Sequence, residues 1–152
     1  MTNWFRNVGQ WLLYGGSARP RPYEAAILER VASELPAADS LALLEQIRSV
    51  DRVQRSLGDR MVMFHFKSRG AQPTHLSAKG DAHCLAKLEL EGAGGRSIAA
   101  VITHRGILST LEFARSPKGL FAHGVRVLSM ARAASWRGPA EAADRLEHGA
   151  GS

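Results

Sequence analysis

The stretch VITHRGILSTLEFARSPKG, Val101 to Gly119, decides the fold that the sequence predicts. A first apolar run ends at Arg105 and its glycine, and apolar and polar residues then alternate from Ile107 onward. Alternation at every residue is the period of a β-strand, and an Arg-Gly pair between two such runs is typical of a hairpin turn. In SPKG, the proline fixes a φ angle that suits a turn, and the glycine allows backbone conformations that other residues rarely adopt. The stretch therefore predicts two antiparallel strands followed by a basic turn.

The same period continues on both sides of this hairpin. HCLAKLELE, from His83, predicts a half-buried strand that GAGG connects to RSIAAVIT, so three consecutive strands form a meander. Further upstream, RMVMFHFK is apolar on both faces, which predicts a central strand. Downstream, GVRVLSMARA predicts either a fifth strand or a helix, because its valines favour strand and its alanines favour helix.

Helical periodicity precedes the strands. YEAAILERVASEL, Tyr23 to Leu35, has one apolar face and an acid in its first turn, which predicts a helix. Apolar residues spaced three or four apart predict a second helix from about Ser40 to Leu57. Asn3 to Tyr14 predicts an amphipathic helix with an aromatic stripe, and the link GGSARPRP ends it.

The predicted class is α+β, with two or three N-terminal helices packed on a four- to five-stranded antiparallel meander sheet. The 152 residues are the size of one domain with a single core. Its predicted parts are an N-terminal helix and link (1–22), a helical part (23–58), a sheet part (59–137) and a weakly structured tail (138–152).

Composition and motifs argue against several classes of function. The only cysteine, Cys84, permits no internal disulfide and no multi-cysteine zinc site, and it is compatible with a cytoplasmic location. No apolar run has the length of a membrane span, and the sequence lacks the common nucleotide, metalloprotease and hydrolase motifs. We predict neither a cofactor nor a metal. Alternation places Cys84 on the apolar face of its strand, which indicates an inert buried thiol.

Positive charge is the strongest functional signal. The formal net charge is +6, and residues 96–137 alone contain seven Lys and Arg against one Glu. Such a charge indicates an acidic partner and says nothing about fold. One row of basic residues is expected on the exposed face of the second helix, and a second group of basic residues is expected at the rim of the sheet. The candidate partner-binding residues are Arg48, Arg52 and Arg55 on the helix and Arg105, Arg115 and Lys118 at the rim.

The leading hypothesis is a non-enzymatic domain that binds an acidic or mixed protein partner, or a second copy of itself, through the open face or edge of the sheet. Helices followed by a meander are common among small bacterial immunity proteins and secretion chaperones, a likeness of architecture rather than of motif. The alternative is a nucleic-acid-binding protein. The third is a small-ligand binder or an enzyme with His65 or Cys84 at its site. A membrane surface is disfavoured, because the first predicted helix carries only Arg6 as a charge.

Overall fold

The computed structural model describes residues 16–132. The predicted helix at Asn3 to Tyr14 and the predicted tail at 138–152 lie outside this range. Within it, two α-helices precede most of a seven-stranded sheet. The elements are β1 (Gly16–Ser17), α1 (Pro22–Ser33), α2 (Ala37–Ser49), β2 (Val50–Arg55), a 3-10 turn (Leu57–Asp59), β3 (Met61–Phe66), β4 (His83–Gly92), β5 (Gly95–His104), β6 (Ile107–Phe113) and β7 (Arg126–Ala131).

The strand order is β1-β2-β3-β6-β5-β4-β7, and every neighbouring pair is antiparallel. The α+β class and the β4-β5-β6 meander are therefore confirmed, and β3 lies inside the sheet as predicted. The predicted number of four to five strands was wrong, because the described part of the chain contributes seven. The three outer strands explain the difference: β1 has two residues, β2 resembles a helix in sequence, and β7 was ambiguous.

The second helix is shorter than predicted. It ends at Ser49 rather than Leu57, and the chain continues directly into β2. Val50 pairs with Phe66 but Arg52 pairs with His65, so one extra residue forms a β-bulge between them. The bulge turns Val50 and Val53 toward the same side, three residues apart, which is also the spacing of a helical face. The helical pattern in this segment was therefore produced by a bulged strand.

Both helices cover one face of the sheet, and the core lies between them. Apolar side chains of α1 and α2 meet the inward residues of β2 to β6. The opposite face carries Met61 and Met63 of β3 in register with Glu112 and Thr110 of β6. The central core residues are Ile27, Leu28, Val31 and Leu43 of the helices and Val53, Val62, Leu88, Leu90, Val101, Leu111 and Phe113 of the sheet.

The polar loop from Ser68 to Asp81 is joined to α2 by hydrogen bonds with Asp39, Glu45 and Gln46, of which Gln46 is the most buried. Gln46 is fully buried, and its Nε2 donates to the carbonyl oxygens of Thr74 at 2.7 Å and Gly106 at 3.0 Å. Its Oε1 accepts from the backbone N–H of Leu108 at 2.7 Å. One side chain therefore joins the helix, the loop and the β5-β6 turn.

Replacing Gln46 by Ala is expected to lower the free energy of unfolding by about 2–3 kcal/mol, because buried backbone groups lose their partners. Urea denaturation followed by circular dichroism measures the loss. Glu29→Ala is the control, since Glu29 is an exposed helical side chain of similar length. Equal losses in the two variants would contradict the role given to Gln46.

Candidate functional site

The arginines predicted on one helix lie in three different environments. Arg48 is exposed at the end of α2, whereas Arg52 is half-buried on β2. Arg55 is 1% exposed and forms a bidentate ion pair with Glu24. The predicted row of basic residues on the helix therefore does not exist, because the helix ends before Arg52. Burial removes Arg55 from any surface that a partner could contact.

The predicted rim residues lie at opposite ends of the sheet. Arg105 occupies the β5-β6 turn with a φ of 50° and pairs with Asp81 at 3.0 Å. Arg115 and Lys118 follow the far end of β6 and are exposed. Since β6 runs from one end of the sheet to the other, these residues do not form one patch.

Other cations join Arg115 and Lys118 at their end of the sheet. Arg115 Nη1 donates to the carbonyl oxygen of Arg96 at 3.1 Å, and Arg126 begins β7 nearby. We call Arg96, Arg115, Lys118 and Arg126 the basic end. Its facing carboxylate is Glu91, which pairs with Arg96 at 3.6 Å and with Arg126. The hydrogen bond from Arg126 lowers the pKa of Glu91, so this carboxylate remains charged as its neighbours do.

A groove of about 650 Å³ opens beside the basic end, between the first turn of α1 and residues 117–125. We call it the α1 groove. Tyr23, Phe121 and Val125 give it an apolar lining. The Tyr23 ring lies 5.4 Å from that of Phe121 and 6.2 Å from that of Phe113, centroid to centroid. These contacts anchor the lining in the core, so the groove has a rigid aromatic side.

The polar edge of the α1 groove is cationic. Lys118 and His123 are exposed at its edge, and Arg21 lies beside them in an ion pair with Asp59. Among the described residues that line the groove, none carries a carboxylate. Burial is the main cause that raises the pKa of Tyr23, so its phenol is a neutral donor there at physiological pH. The groove therefore suits a ligand that is partly apolar and partly anionic.

A buried ion pair fixes the helix end that forms the groove. Arg55 Nε and Nη2 each donate to a Glu24 carboxylate oxygen at 2.7 Å, and Arg55 Nη1 donates to Ser17 Oγ at 2.9 Å. Glu24 also accepts from the backbone N–H of Arg21 at 2.8 Å, the N-terminal half of a capping box, and Pro22 opens the helix. Pro22 and Glu24, the residues on either side of Tyr23, therefore fix its position.

Sequence reasoning missed Tyr23, Phe121 and His123 as groove residues. Proline followed by a first-turn acid marked the start of α1, but periodicity gave no sign that residues 117–125 fold back against it. Lys118 was found, as a residue of the basic turn that closes the hairpin. The groove forms because residues 117–125 contact the first turn of α1, which is far away in the sequence.

The structure also places the residues of the enzyme alternative. A bulge between Cys84 and Ala86 puts Cys84 opposite Ile102, so the prediction that it shares a face with Leu88 was wrong. Burial raises the pKa of the Cys84 thiol, which favours the unreactive protonated form. His65 lies on β3 opposite Arg52 of β2. Burial, together with the charge of the Arg52 guanidinium, lowers the pKa of the His65 imidazole. Within residues 16–132, no group of three potential ligands could hold a metal ion.

Among the described residues there is also no helix with the length and apolar character needed to cross a membrane. Comparisons of the chain with protein-family models, with curated proteins and with solved structures gave no match.

Proposed function

We propose that this protein is a binding domain that recognises an acidic segment of a protein partner at the α1 groove. The observation that carries the proposal is the combination of an aromatic lining with a basic edge, where no described lining residue is a carboxylate. Stable protein interfaces have this arrangement, in which an apolar centre is surrounded by polar and charged residues.

Each part of the groove has a distinct role in this proposal. Tyr23 and Val125, which are half-buried and lie beside the buried Phe121, offer an apolar surface to one or two side chains of the partner, which supplies most of the binding energy. Lys118 attracts carboxylates near that anchor, and the exposed His123 ring can donate a hydrogen bond to them. The other cations of the basic end extend the positive potential outward, which speeds encounter with an acidic partner.

The α1 groove favours a peptide segment over nucleic acid. Of its aromatic rings, Phe121 is buried and Tyr23 is half-buried against it, so the groove lacks the exposed rings on which successive bases could stack. A volume of about 650 Å³ matches a few amino-acid side chains.

The proposal is tested by crosslinking and then by binding. A photoreactive amino acid replaces Ala122, which is exposed at the groove, and in a control it replaces Ala38, which is exposed on α2. We expect the Ala122 probe to capture a protein from native lysate that the Ala38 probe does not. Mass spectrometry should place the crosslink in an acidic segment of that protein.

Binding of the purified partner then decides the role of charge. Lys118→Glu is expected to weaken binding about tenfold, as the loss of about 1.4 kcal/mol would. Arg105→Glu, the same change at the other end of the sheet, should leave the affinity unchanged. The proposal is wrong if the crosslinked segment is basic, if the probe captures only a second copy of this chain, or if the two charge reversals have equal effects.

A further inference from the structure

A second groove lies at the other end of the sheet, and nothing in the proposed function uses it. Its volume is about 540 Å³, and it is bordered by the link after β1, the end of α2, the start of β2 and the loop after β3. We call it the β2 corner groove. Its basic residues are Arg19, Arg48, Lys67 and Arg69.

These four cations are uncompensated. All four are exposed, and within residues 16–132 none of them forms an ion pair. Arg55 and Arg105 differ from them, since each pairs with a carboxylate. Among the described lining residues, Asp51 is the one carboxylate, and it offsets one charge of the four. The groove therefore has an excess of positive charge with no partner in the described fold.

The fold brings these cations together from distant parts of the chain. Ser17 pairs with Val53 on β2, which places the link that contains Arg19 beside the sheet. Val50 pairs with Phe66, which sets the end of α2 against the end of β3. Holding like charges together costs free energy unless an anion joins them, so such a cluster indicates an anion-binding site.

The residue types identify the anion. Guanidinium groups bind phosphate oxygens through two parallel hydrogen bonds, and lysine adds a compact charge. A chain of two or three linked phosphates extends further than a single phosphate, so it can contact more of the four cations that line this groove of about 540 Å³. Among the described residues of the lining, the one aromatic is Phe66, which is half-buried and packs against the core, so it is poorly placed to stack on a nucleobase.

We infer that the β2 corner groove binds an oligophosphate chain through Arg19, Arg48, Lys67 and Arg69. The ligand would be a nucleoside di- or triphosphate or an inorganic polyphosphate, which present the same chain of charged oxygens. Arg48 was predicted to contact a partner as part of a row of basic residues on a helix. Its role here comes instead from its position at the last turn of α2, opposite the loop that follows β3.

Isothermal titration calorimetry of the unmodified protein tests the inference. The probes are tripolyphosphate, ATP and orthophosphate, each at 50 mM and 200 mM NaCl. We expect tripolyphosphate to bind at least about tenfold more tightly than orthophosphate, because it reaches more cations at once. Equal affinities for tripolyphosphate and ATP would show that only the phosphates are bound, and tighter binding of ATP would identify the nucleotide as the ligand.

Charge-reversal variants locate the site. Arg48→Glu and Arg69→Glu are each expected to weaken tripolyphosphate binding at least about tenfold. Arg105→Glu is the matched control, and circular dichroism checks that each variant is folded. Lys67→Ala removes charge without reversing it and should give a smaller loss of the same sign.

Three results would overturn the inference. The first is the absence of measurable tripolyphosphate binding at 50 mM NaCl. The second is an equal loss of affinity in Arg48→Glu and Arg105→Glu, which would indicate attraction to the whole basic protein. The third is a single-stranded DNA 12-mer that binds more tightly than tripolyphosphate and depends on Arg48, since the groove would then belong to a nucleic-acid interface.

Discussion

Replacing Arg55 by Met is expected to lower the free energy of unfolding by about 3–5 kcal/mol, because it leaves the carboxylate of Glu24 buried without its counter-charge. Both residues are almost completely inaccessible to solvent, at 1% and 0%. The variant also removes the donor to Ser17 Oγ, which ties β1 to the same cluster. Chemical denaturation monitored by circular dichroism measures the change.

Two comparisons separate the buried pair from a general effect of charge. Arg30→Met breaks the exposed pair with Glu34, whose nitrogen and oxygen are 3.2 Å apart, and should cost less than about 1 kcal/mol. The double variant Glu24→Leu with Arg55→Met replaces both charges by apolar groups and should recover much of the stability that Arg55→Met loses. If Arg30→Met and Arg55→Met cost the same, the buried pair does not have this role.

Replacing Gly92 by Ala is expected to cost about 3 kcal/mol, at the upper end of what overpacking a native structure costs. A Cβ at this position would lie 2.7 Å from Phe121 Cδ1 and 2.9 Å from the carbonyl carbon of Leu120, with the Leu120 oxygen closer still. Two of these atoms are backbone, so they cannot move aside by a change of rotamer. Residues 120 and 121 must shift instead, and Phe121 forms part of the α1 groove.

Gly80→Ala is the matched control for Gly92→Ala. A Cβ at Gly80 would meet no atom within 4 Å, and its backbone is not in the left-handed region. Thermal and urea denaturation should show a change below about 1 kcal/mol for Gly80→Ala. Partner binding adds a second readout, since the Gly92 variant should lose affinity at temperatures where it is still folded. Similar stabilities for the two variants would contradict the close packing at Gly92.

Alternation along the chain predicted the meander because short glycine turns connect its strands, and β4 and β6 each have one partly exposed face. The same reasoning failed for β2, because the bulge after Val50 gives a strand the spacing of a helix. It also failed for Cys84, where a second bulge reverses the face. Both errors have one cause: a single extra residue changes the phase of the alternation, and no residue type in the sequence marks it.

Of the two candidate sites, only the positively charged residues could be predicted from the sequence. Lys118 and Arg48 are both exposed, but each lies in a different groove. The grooves depend on contacts between segments that are far apart in the chain, such as Tyr23 with Phe121. Arg55 was expected on the surface but is buried in an ion pair with Glu24. Its neighbours in the sequence do not distinguish a buried arginine from an exposed one.

The strand order has a consequence for how the protein reaches its native state. β4, β5 and β6 are joined by short turns, whereas β3 must cross the long loop to pair Met61 with Glu112, about 50 residues later. We expect the meander to form first and the β2-β3 hairpin, which carries Arg55, to dock on it afterwards. Arg55→Met should therefore speed unfolding and leave the refolding rate, measured by stopped-flow, nearly unchanged. Both grooves would then be among the last features of the molecule to assemble.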